Sequence, residues 1–122
     1  MTESTGREPS MIKHDQLNEL VAAAGVEATA DVIDSYWRST NDLVESLNKA
    51  LQDSDLAEAA KVAHALKGSS ANVGAEALSI ITKKLEDYCQ EQNAEDAKNS
   101  FETMKSMVEE SKAEFDAYLK SA

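Results

Sequence analysis

Apolar residues recur in alternating steps of three and four along four stretches of this chain, and no other feature constrains the fold as much. The longest stripe is Val26, Ala30, Ile33, Trp37, Thr40, Val44, Leu47 and Leu51, widened by Tyr36 and Leu43. A second is Leu56, Ala59, Ala63, Leu66, Ser70 and Val73, and a third is Leu78, Ile81, Leu85 and Tyr88. The fourth is Ala97, Phe101, Met104, Val108, Ser111, Phe115 and Tyr118, widened by Met107 and Leu119. Such steps put side chains on one face of an α-helix, and that face is buried only against other helices. Strand-type alternation is hard to find, and one Pro and four Gly in 122 residues leave few places to turn. The pattern predicts an all-α, up-and-down antiparallel four-helix bundle in one domain.

The punctuation between stripes sets the expected helices at 27–52, 55–72, 75–91 and 94–119. Asp53, Ser54 and Asp55 offer capping oxygens and negative charge before the second stripe, and Asn93 with Asp96 does so before the fourth. Gly74 is suited to end the second helix in a left-handed conformation. The link after it is so short that the helices on either side must be antiparallel neighbours. A short additional helix is expected at 13–24, with Leu17, Leu20, Val21 and Ala24 on one face and Gly25 as its stop. His14, at its exposed start, reads as a solvated residue. Residues 1–11 read as a disordered tail, which leaves 12–122 as the bundle. Trp37 is expected in the core. Lys83, Lys84 and the acidic runs Glu109-Glu110 and Glu114-Asp116 are expected to be solvated.

Charge and cysteine content exclude several functions. Twelve basic and 23 acidic side chains give a net charge of −11, which disfavours nucleic acid and anionic membranes as partners. No apolar run approaches the ~20 residues that span a bilayer, and no secretory signal opens the chain. The single Cys89 forms no internal disulfide, which fits a reducing cytoplasm, and it reads as half-buried filler. No second Cys or His at ligand spacing supports a metal site. There is no Gly-rich phosphate loop and no Ser/His/Asp or Cys/His triad pattern.

Chemistry concentrates around His64. It lies one position, roughly 100° of arc, beyond the second stripe, and so stands on the flank of its helix. Ala60 and Lys61 lie one turn before it, Lys67 and Gly68 one turn after, and Ala57 and Ala71 extend the same strip. A glycine inside a helix costs about 1 kcal/mol relative to alanine. Beside a histidine, its missing side chain lets another protein approach. Counting away from the turn near Gly74, His64 and Glu86 face each other at similar height in the antiparallel pair. Glu86 is thus placed to accept a hydrogen bond from one ring nitrogen and leave the other as nucleophile. A purely solvated Glu86 stands beside this as an open alternative.

The string His64-Ala65-Leu66-Lys67-Gly68-Ser69-Ser70, followed by Gly74-Ala75, resembles the histidine phosphotransfer (HPt) family. There a histidine is followed at the third and fourth positions by Lys-Gly, then small residues, then a helix-ending Gly. The resemblance implies a bundle, covered at one end by a short first helix, that relays phosphoryl groups between receiver-domain aspartates. His64 would be the phosphoacceptor, Lys67 a charge near the phosphate, and Ser69 a supporting donor. Ala57, Ala60, Lys61, Gly68 and Ala71 would form the docking strip. The family often has Gln where this chain has Glu86. Mg²⁺ and the acidic pocket would belong to the partner receiver, of a hybrid kinase or a response regulator. This chain, a cytoplasmic monomer with no cofactor, would be a phosphocarrier and not an enzyme. Two alternatives remain open at this point. One is an adaptor bundle that never carries phosphate, and the other is an HPt domain cut from a larger sensor kinase.

Overall fold

In the computed structural model, which describes residues 11–122, five helices run in order: α1 (His14–Ala24), α2 (Val26–Gln52), α3 (Leu56–Asn72), α4 (Glu76–Gln90) and α5 (Ala94–Ser121). No strand occurs among the described residues. Helices α2 to α5 form the up-and-down four-helix bundle, each packed on its chain neighbours, with α5 closing back on α2. The core follows the stripes. Leu47, Leu66, Leu78, Leu85, Met104 and Phe115 have no exposed surface. Burying each such side chain contributes about 1.5–3 kcal/mol, which drives the assembly. No helix is long and apolar enough to cross a membrane among the described residues.

The ends form as the capping residues dictate. Asp55 Oδ1 accepts the Glu58 amide at 3.1 Å, and Asn93 Oδ1 accepts the Asp96 amide at 3.1 Å. Each such cap typically contributes about 1 kcal/mol. Gly74 has φ +81°. A Cβ there would lie 3.4 Å from the Lys13 carbonyl oxygen, an ordinary contact, so it is the conformation that favours glycine. The Lys13 amide donates to the Gly74 carbonyl at 2.8 Å, and the Gln16 side-chain amide donates to the Ala71 and Asn72 carbonyls at 3.1 and 3.0 Å. Through these bonds α1 covers the α3–α4 turn and fixes the C-terminal end of α3.

Several residues depart from expectation. Val26 is 36% exposed, because it opens α2 before the core begins at the fully buried Thr29. Ala24, the last residue of α1, is exposed. Cys89 is fully buried instead of half-buried, since it shares the inner flank of α4 with Thr82 and Leu85. Of the expected tail, residues 1–10 lie outside the described residues. Met11 is tied in, its amide donating to Glu114 Oε1 at 2.8 Å and its carbonyl accepting from Ala77. Glu114 is therefore not simply solvated. Neither is His14, whose Nε2 lies 3.2 Å from Glu114 Oε2 and whose ring meets Tyr118 edge-on at 5.6 Å.

Candidate functional site

His64 stands on α3 with its side chain 68% exposed, while Ala63 and Leu66 on either side of the strip are fully buried. A one-position offset from a packed seam produces this contrast within a single turn. Its Nδ1 lies 3.0 Å from Glu86 Oε2 on α4. A carboxylate only accepts hydrogen bonds, so Nδ1 carries the proton and donates it, and Nε2 keeps the lone pair. Nε2 is also the ring nitrogen farther from the Cβ attachment.

Glu86 is nearly buried, with 10% of its side chain exposed, and its other oxygen lies 3.2 Å from Lys67 Nζ. That contact is an ion pair by distance, without the alignment of a hydrogen bond. A buried carboxylate needs a compensating cation or hydrogen bonds, and Glu86 has one of each. Lys67 is itself only 26% exposed, its stem lying along the bundle. The positive charge one turn from His64 is thus already engaged. Cys89, one turn beyond Glu86 on α4, has its thiol pushed up by burial and then by the Glu86 charge, which keeps it protonated and unreactive.

The remaining candidates are distributed unevenly. Ala57, Lys61, Gly68 and Ala71 are exposed and Ala60 is partly so, forming a strip of small side chains beside the imidazole. A Cβ added at Gly68 would meet nothing within 4 Å, so no internal contact requires glycine there. The Ser69 hydroxyl donates to the Leu66 carbonyl at 3.1 Å and does not reach His64. Ser70 sits in the core, where its hydroxyl and that of Tyr36 are 2.6 Å apart. A shallow groove opens beside the ring, lined by Ala60, Lys61, His64, Glu86 and Gln90. Gln90 escaped the sequence reading, although it lies one helical turn beyond Glu86 on the same flank. A larger groove between α2 and α5, lined by Asn41, Val44, Lys105 and Val108 among others, contains no histidine or cysteine. Among the described residues no three His, Cys, Asp or Glu side chains are grouped to hold a metal ion.

The comparisons with known proteins bear on the family and the fold. The Hpt domain model matches residues 31–114, a span that contains His64, Lys67 and Glu86 and omits His14. The phosphorelay intermediate protein rdeA of Dictyostelium discoideum is 33% identical over 84 residues, which cover 69% of this chain. The match spans only 33% of that relative's length. The crystal structure of histidine-containing phosphotransfer protein B of Pseudomonas aeruginosa PAO1 superposes with a TM-score of 0.84 at 23% identity, covering 94% of this chain and 99% of that one. That likeness bears on the fold. With the family model matching well over half of its residues, the chain belongs to the Hpt domain family.

Proposed function

We propose that this chain is a phosphocarrier of a phosphorelay, in which His64 takes a phosphoryl group from one receiver-domain aspartate and gives it to another. The observation that supports this most is the exposed imidazole whose Nδ1 is held by a nearly buried Glu86. Nε2 attacks the phosphorus of the partner's aspartyl phosphate. The N–P bond forms as the P–O bond to the aspartate breaks, and the aspartate leaves as a carboxylate. The phosphorylated ring then carries the Nδ1 proton and a positive charge, which faces Glu86. Passage to the next aspartate is the reverse of this step. Glu86 orients the ring, and Lys67 acts near the phosphate by neutralising Glu86. Ala57, Ala60, Lys61, Gly68 and Ala71 form the docking strip, and Ser69 contributes only through its bond to Leu66.

The partner receiver supplies the acidic pocket and Mg²⁺, so the chain works without a cofactor and without kinase or hydrolase activity of its own. It acts as a cytoplasmic monomer with no nucleic-acid or membrane partner. The name of the phosphorelay relative supports the same reading. Wild type, His64→Gln and His14→Gln are to be mixed with phosphorylated receiver domains. Wild type and His14→Gln should take up acid-labile, base-stable phosphate and His64→Gln none. Uptake by His64→Gln would overturn the assignment.

A further inference from the structure

We infer that Lys61, and not Lys67, is the cation that meets the phosphoryl oxygens at His64. The inference rests on the reading of His64 as phosphoacceptor and concerns which charge serves it. Both lysines lie one turn from His64 on α3, Lys61 before it and Lys67 after it. Their surroundings differ. Lys67 is 26% exposed and ion-paired at 3.2 Å to Glu86, whose side chain is 10% exposed. Drawing Lys67 away toward a phosphate would leave that carboxylate without its cation, next to the dianion it would be greeting. Lys61 is exposed, and no carboxylate among the described residues lies within ion-pair distance of it. The acid nearest to it along α3 is Glu58, one turn earlier, and the two form no ion pair. Lys61 lines the groove that opens beside His64, together with Ala60, Glu86 and Gln90, whereas Lys67 does not. A phosphoryl group entering that groove meets an exposed, unpaired ammonium and the Gln90 side chain. Lys67 is instead ion-paired to Glu86.

Phosphoramidate tests this without any receiver. His64 Nε2 attacks its phosphorus, the P–N bond to nitrogen breaks and ammonia departs, while Nδ1 keeps its proton. The rate of phosphohistidine formation is to be followed by ³¹P NMR in wild type, His64→Gln, Lys61→Ala, Lys61→Arg, Lys67→Ala and Lys67→Met, with thermal melts of each. Lys61→Ala should melt like wild type and react about tenfold more slowly, the size expected of one unit charge acting through a mostly aqueous medium. Lys61→Arg should recover the rate, which a merely structural role would not produce. The two Lys67 variants should melt lower and, per folded molecule, lose less rate than Lys61→Ala. A wild-type rate in Lys61→Ala, or a larger loss of rate in folded Lys67→Met, would return the role to Lys67. Phosphorylation that persists in His64→Gln would instead overturn the underlying assignment of His64, so the two failures are distinguishable.

Discussion

The chain's two histidines each face a glutamate from another helix, at 3.0 Å for His64–Glu86 and 3.2 Å for His14–Glu114. The pairs differ in nearly everything else. His64 is tethered through Nδ1 and leaves its outer nitrogen free, whereas His14 is tethered through Nε2 and leaves only the nitrogen nearest its own backbone. Glu86 is nearly buried and compensated by Lys67, whereas Glu114 also accepts the Met11 amide. Small side chains surround His64, while Tyr118 lies edge-on against His14 and donates to Asn18 at 2.7 Å. One pair presents a ring, and the other clasps α1 to α5. A histidine–carboxylate contact therefore says little alone. What matters is which nitrogen it uses and what the neighbours leave open.

Gly68 sharpens this contrast most. It lies one turn from His64 with open space where its Cβ would be, whereas the residue one turn from His14 is Asn18, which accepts from Tyr118. Gly68→Gln should fold and melt at the same temperature or higher, since helix propensity favours Gln over Gly by somewhat under 1 kcal/mol. Its side chain would stand where the receiver must approach. A displacement of about 1 Å costs roughly 100-fold in rate, and transfer from a phosphorylated receiver should fall by about that factor. A less stable protein with normal transfer per folded molecule would mean that Gly68 serves helix packing.

The His14 clasp should behave in the opposite way. His14→Gln removes one half-exposed histidine–carboxylate contact, worth about 0.5 kcal/mol, and should lower the melting temperature by about 2 °C. Transfer at His64 should be unaffected. A calorimetric melt with a matched transfer assay checks both. Slowed transfer in a folded His14→Gln protein would break the division between a working pair and a structural one.

The same contrast explains what was legible in the sequence. The sequence pairs His64 with Glu86 because a two-helix hairpin with a short link fixes which residues stand at equal height. A one-position offset from the Leu56–Val73 stripe was enough to put His64 outside. Glu86 differs in that it shares a buried flank of α4 with Thr82 and Cys89, which the stripe Leu78, Ile81, Leu85 and Tyr88 does not include, so that stripe does not show its burial. His14 and Glu114 are separated by a hundred positions, and no periodicity says where a short first helix will cross the last one. Helical spacing puts Lys67 one turn from His64. Its engagement with Glu86 depends on side-chain reach across two helices, which spacing along one helix does not encode.

The central claim is that Glu86 commits the Nδ1 proton of His64 and so leaves Nε2 as the atom that carries phosphate. Phosphorylated wild-type protein labelled with ¹⁵N in histidine, observed by ³¹P and ¹⁵N NMR, tests it most directly. One phosphohistidine should appear, at His64, with its N–P bond at Nε2 and Nδ1 protonated. Phosphate on His14, or on Nδ1 of His64, would contradict it.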